Sequence, residues 1–159
     1  MEFEHSYLGK LRKQVGSQKL IAPGAMALLV NEKEEVLLQK RRDFDLWGLP
    51  GGLMELEESV EETLIRELHE ETMLTPVEYR PVGLYTGAGS CVTFPNGDQL
   101  QNFTVVFLCT KWSGTLANDD AESKELRFFP MNRLPVKMVD WHRGVVEDYA
   151  TMNGRFVLK

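Results

Sequence analysis

Two apolar runs, AMALLV (Ala25 to Val30) and VLLQKR (Val36 to Arg41), flank the polar stretch NEKEE, a pattern that predicts a hairpin of two sheet strands. Apolar positions further along predict strands over Val77 to Tyr85, Ser90 to Phe94, Gln101 to Cys109 and Glu125 to Phe129, with the turn PNGD (Pro95 to Asp98) between the second and third. Elsewhere the period becomes helical. Val60, Leu64 and Leu68 follow Ser59 and Glu62, which form a capping box, so a helix begins near Val60. Thr75-Pro76 predicts its end, because the residue before a proline is pushed out of helical geometry. Met138, Trp141, Val145, Val146 and Tyr149 predict a second helix from Lys137 to about Met152. The basic segment Leu8 to Lys19 predicts a short outer helix with solvated charges, so residues 1–20 read as a helical extension. Interleaved strands and helices indicate a sheet covered by helices, the α/β class.

The chain has 159 residues, the size of one domain, with no repeat or Gly/Ser linker to divide it. Hydrophobic residues at 43% and charged residues at 26% fit a soluble globular protein, and no apolar run is long enough to span a bilayer. The amino terminus lacks the apolar core of a secretory signal, which points to the cytoplasm. A net charge of −6 argues against nucleic acid as a partner. Cys91 and Cys109 form no CxxC pair and read as strand or core thiols. The oligomeric state stays open, a homodimer included.

The first long helix carries the chemistry. With Glu67 at zero on a helical wheel of about 100° per residue, Glu71 falls between Val60 and Leu64, at the edge of the buried stripe. His69, Glu62, Met73 and Arg66 form the outer face, where Arg66 is spaced to pair with Glu62 or Glu70. Carboxylates crowded at a core boundary repel one another and lose hydration, a cost that a hard divalent cation with oxygen ligands would offset. Gly51 and Gly52 enter the helix through a loop whose backbone can come close to a metal or phosphate.

From Gly52 to Leu74 the chain resembles the signature of the Nudix hydrolases, G-x5-E-x7-R-E-U-x-E-E-x-G-U with U bulky and aliphatic. Gly52, Glu58, Arg66, Glu67, Leu68, Glu70, Glu71 and Leu74 fall on its positions, while Met73 stands where the pattern has glycine. WGLPGG (Trp47 to Gly52) and LRFFPMNRLP (Leu126 to Pro135) extend the likeness, which runs from about Ile21 to the carboxyl end.

The resemblance implies an α/β/α sandwich around a mixed sheet and metal-dependent cleavage of a nucleoside diphosphate linked to a group X. Candidate substrates are ADP-ribose, a sugar nucleotide or a non-standard nucleoside triphosphate. It implies Mg2+, or Mn2+, held by Glu67, Glu70 and Glu71, with Glu58 and a carbonyl of Gly51 or Gly52 completing the shell and Arg66 orienting the carboxylates. The general base is Glu70 or a later acid, Glu122 or Glu125, of which Glu122 is preferred. Arg41 and Arg42, beside Lys40, are placed to reach phosphate. Trp47, Tyr85 and Phe94 are candidates to stack a base or to fill the core, with Phe94 read as core. Two other activities compete: a non-catalytic Nudix-fold nucleotide sensor, and hydrolysis of RNA 5′ ends.

Overall fold

The computed structural model describes residues 3–118 and 123–159; Glu122, the preferred late acid, lies outside them. A 3-10 turn, Phe3–His5, leads into helix α1 (Tyr7–Val15), capped by the Ser6 side chain accepting from the Gly9 N–H at 3.0 Å. The charges of this helix are not all solvated, contrary to the sequence expectation. Arg12 is buried and donates to the carbonyls of Gly16, Gln18 and Gln99 at 2.9, 2.5 and 2.6 Å. Its Nη1 and Nη2 thereby recover hydrogen bonds lost with water, while the buried Nε, 3.7 Å from Asp98, completes none.

Strands β1 (Leu20–Leu29) and β2 (Glu35–Arg41) follow, but they do not form the expected hairpin. A single antiparallel bridge joins Val30 to Val36, and the strands then part into different sheets. The reason is that β1 is buried on both faces from Ala25 to Leu29 and has its two edges occupied by other strands. Beyond β2 come β3 (Trp47–Gly48), β4 (Gly51–Leu53), helix α2 (Val60–Thr72) and strand β5 (Leu74–Tyr85). The 3-10 turn Ala88–Ser90 precedes β6 (Cys91–Thr93) and β7 (Gln99–Gly114); β8 (Ser123–Pro130), helix α3 (Asp140–Thr151) and β9 (Val157–Leu158) complete the described chain.

The larger sheet is mixed, in the order β4-β1-β7-β5-β9, with β6 pairing the start of β7. β1 runs parallel to β7 and β9 parallel to β5, while β4, β5 and β6 pair antiparallel. A smaller antiparallel sheet has the order β3-β2-β8. The alternation of side chains along β1 builds two cores. Ala25, Ala27 and Leu29 pack under Leu64 and Leu68 of α2, whereas Met26 and Leu28 pack with Val145 and Val146 of α3. Helices thus cover both faces, giving the α/β/α sandwich. No helix among the described residues is long and apolar enough to cross a membrane.

Two helix boundaries move from their predicted places. α2 stops at Thr72, before Pro76 acts, because Met73 takes the left-handed conformation (φ 61°, ψ 14°) and its N–H bonds back to the His69 carbonyl. α3 starts at Asp140 because the preceding backbone is already engaged: the Trp47 N–H donates to the Lys137 carbonyl and the Val139 N–H to the Trp47 carbonyl, both at 2.9 Å.

Candidate active site

A cleft of about 500 Å3 lies where α2, β4, the loop after β2 and the start of α3 converge, and Gly51, Gly52, Glu67, Glu70 and Glu71 all line it. The carboxylates reach it because the backbone at the two glycines makes room. A Cβ on Gly52 would stand 2.4–2.5 Å from the carboxylate atoms of Glu67 and would push that carboxylate from its place. Gly51, at φ 144°, donates its N–H to Glu71 Oε2 at 2.7 Å. The Gly52 carbonyl oxygen, an expected ion contact, is turned toward Gly24 of β1.

Arg66 organises one side of this group. It holds Glu58 bidentately, Nε to Oε1 at 2.5 Å and Nη2 to Oε2 at 2.9 Å, and reaches Glu67 Oε1 at 2.8 Å and the Leu53 carbonyl at 3.0 Å. Glu70 lies 3.6 Å away from it. The predicted pairing of Arg66 with Glu62 does not form, since Glu62 caps α2 by accepting from the Ser59 N–H at 2.7 Å. Glu58 accepts in addition from the Glu55 N–H and from Thr63 Oγ1. Both of its oxygens are therefore engaged, and Glu58 anchors Arg66. The hydrogen bonds from Arg66 hold its carboxyl at about 2.

Glu71 is in the opposite condition. It is buried at 5% exposure. Loss of hydration, together with the neighbouring Glu67 charge, pushes its carboxyl up to about 8. Gln39 pulls in the other direction and comes close to this carboxylate, although its buried Nε2 completes no hydrogen bond of normal geometry. Ser123 Oγ fixes the same amide from the other end by donating to Gln39 Oε1 at 2.5 Å. Neither Gln39 nor Ser123 carries a sequence signal for this role.

An oxygen-only donor set containing a buried, desolvated carboxylate beside a second one suits Mg2+ or Mn2+ in its chemistry. The side chains do not form a ready cage: among the described residues no group of three acidic, imidazole or thiol side chains is gathered closely enough to enclose an ion.

The other predicted residues divide. Arg41 and Arg42 line the cleft. Arg41 forks onto Asp43 at 3.0 and 2.7 Å and lies 5.8 Å from the ring centroid of Phe44. Trp47 is not brought to the cleft; it is core, edge-on to Phe129 at 4.8 Å. Tyr85 is also core, its hydroxyl donating to Asp148 Oδ2 at 3.0 Å. Phe94, read as core, instead lines the cleft and meets Phe44 at 5.3 Å between centroids. Glu125 pairs with Arg127 and is not among the residues lining the cleft.

Among the cleft residues missed from the sequence, beside Gln39 and Phe44, is a histidine. His142 is buried at 5% exposure, and its Nδ1 accepts from the Leu49 N–H at 3.0 Å. Burial and the Arg41 charge lower it to about 3, so it stands neutral. A lone histidine inside an amphipathic helix gives no signal of this.

Comparison with known proteins follows the same outline. The NUDIX domain matches residues 20–149. A Bacillus subtilis protein provisionally named 8-oxo-dGTP diphosphatase is 30% identical over 126 residues, 79% of this chain and 78% of that protein. An ADP-ribose pyrophosphatase of Methanocaldococcus jannaschii is 35% identical over 125 residues, 76% of this chain and 69% of that protein. The crystal structure of a MutT NUDIX hydrolase from Burkholderia pseudomallei superposes with a TM-score of 0.69 at 24% identity, covering 80% of this chain and 97% of that one, a likeness of fold.

Proposed function

Because this chain belongs to the NUDIX-domain family and is a hydrolase acting on diphosphate bonds, we propose that it cleaves a nucleoside diphosphate linked to X into a nucleoside monophosphate and phosphorylated X, in a reaction that requires Mg2+ or Mn2+. The observation that carries this reading is the pair Glu67 and Glu71, set against Gly51 and Gly52 at the cleft wall, with the buried member desolvated beside the charge of the other.

Glu67, Glu70 and Glu71 would hold the ion, which when bound neutralises diphosphate charge and lowers the pKa of water. The chain does the rest by positioning, which is most of what phosphoryl transfer asks of a protein. Arg66, anchored by Glu58, fixes the direction of Glu67. The Gly51 N–H does the same for Glu71. Arg41 and Arg42 offer cations to the phosphate oxygens from the facing loop. The proton of the attacking water passes to a carboxylate, Glu70 at the cleft or Glu122. The substrate class stays with the two named relatives: an ADP-ribose-like dinucleotide or a non-standard nucleoside triphosphate.

The test is a panel of such nucleotides incubated with Mg2+, the products identified by mass. The expected result is a nucleoside monophosphate plus phosphorylated X, abolished by EDTA. Undiminished turnover in excess EDTA would remove the ion from the mechanism, and cleavage at any other bond would overturn the reaction assigned.

A further inference from the structure

Helix α1 contains a glycine, Gly9, although glycine weakens a helix interior relative to alanine. The structure gives a reason. A Cβ at Gly9 would lie 1.8 Å from the Phe3 carbonyl oxygen and 3.1 Å from Glu4 Cα, so the glycine lets the Phe3–His5 turn fold back onto the helix. Ser6 holds that turn, donating to the Phe3 carbonyl from its N–H at 3.1 Å and its hydroxyl at 2.7 Å.

The helix is tied down on two sides. The Tyr7 N–H donates to Glu55 Oε2 at 2.7 Å, on the loop that enters α2. Arg12 binds the Gln99 carbonyl at the start of β7 and lies 3.7 Å from Asp98. Its charge is committed to these backbone and carboxylate oxygens, so this wall offers little to a phosphate. What it does offer is apolar. Phe3 and Leu8 line the cleft together with Phe44, Phe94 and Leu100. Phenyl and aliphatic surfaces lining a cleft suit a flat heterocycle, which gains from stacking whichever base it is. All of α1 precedes residue 20, where the match to the NUDIX domain begins.

We propose that Phe3–Val15, outside the matched family domain, is the wall of the cleft that receives the nucleobase, with Phe3 and Leu8 packing on the base while the diphosphate lies at the α2 carboxylates. This rests on the reading of the cleft as a nucleotide site. It assigns Gly9 a purpose, since its missing side chain is what seats Phe3.

The test measures binding without any divalent ion, by calorimetry, using AMP, GMP, CMP, UMP and ribose 5-phosphate. Wild type should bind at least one monophosphate about tenfold or more tightly than ribose 5-phosphate. Phe3→Ala should weaken that monophosphate about fivefold and ribose 5-phosphate less than about twofold. Gly9→Ala should give the same selective loss through displacement of the turn, while circular dichroism shows α1 retained or strengthened. Phe3→Ala removes only an exposed ring on a surface turn, so it keeps the question answerable if the Gly9 variant misfolds. Folded variants that keep the full preference for the monophosphate would overturn the role of α1. If wild type shows no preference for any monophosphate and hydrolyses none of the nucleotide panel, the nucleotide reading itself fails, and this inference with it.

Discussion

Glu58 and Glu71 belong to one helix and its entry, yet they sit at opposite extremes. Glu58 has a guanidinium across both oxygens and is held at about 2; Glu71, buried beside Glu67, is pushed to about 8. The Glu58–Arg66 end is satisfied by hydrogen bonds within the protein. At the other end Glu67 shares Arg66 at 2.8 Å while Glu71, fully desolvated, is held toward its neutral form, the condition that the proposed ion would relieve. A count of carboxylates in the sequence cannot separate the two, because the difference comes from where one arginine reaches.

The sharpest way to break the contrast is to remove that arginine. Arg66→Met strands Glu58 and Glu67 and should cost roughly 2–3 kcal/mol in urea unfolding. It should also change the acid limb. A carboxyl lowered from 4.5 to about 2 in the folded state contributes stability that is present above 4.5 and lost as pH falls toward 2. The mutant should lose less stability than wild type over that interval. An unchanged acid limb would show that the Arg66–Glu58 fork adds nothing.

A comparable effect is expected on rate. If Glu122 is the base, Glu122→Gln should lose about 100-fold in kcat, while Glu125→Gln, at a residue that is not among those lining the cleft, loses far less. Equal wild-type rates in both would place the base elsewhere. The smallest effect lies past the helix end. Met73, 44% exposed, holds a left-handed conformation that glycine adopts freely, so Met73→Gly should raise stability by roughly 0.5–1 kcal/mol in thermal melts with activity kept. A destabilised Met73→Gly would mean that the methionine side chain packs more than its exposure indicates.

Much of this was legible in the chain. The phase of Glu71 against Val60 and Leu64 put it at the edge of the buried stripe, and the structure buries it; Ser59 with Glu62 gave the start of α2. Periodicity misled where a long-range partner decides the outcome. Val30 and Val36 meet once because β1 has its edges taken by β4 and β7. Arg66 lies on the outer face of the wheel, but its side chain is long enough to fold back to Glu58 and Glu67, which a wheel cannot display. Aromatic residues were the least readable. Trp47 and Phe94 each stand beside a Pro/Gly-containing turn, and the tertiary path sends the first to the core and the second to the cleft.

The central claim is that the Glu67–Glu71 end is strained until an ion arrives, and thermal melting of wild type and Glu71→Gln with and without Mg2+ tests it most directly. A carboxyl raised from 4.5 to about 8 on folding costs stability progressively as pH rises through that interval, so the metal-free wild type should weaken from about pH 5 to pH 8. Glu71→Gln keeps an oxygen for the Gly51 N–H and sheds the charge. It should therefore melt at or above wild type in metal-free buffer near pH 8, by roughly 0.5–2 kcal/mol, yet be almost inactive. Added Mg2+ should raise the wild-type melting temperature and raise the mutant's much less. A mutant clearly less stable than wild type without metal, or one that gains as much from Mg2+, would contradict the account.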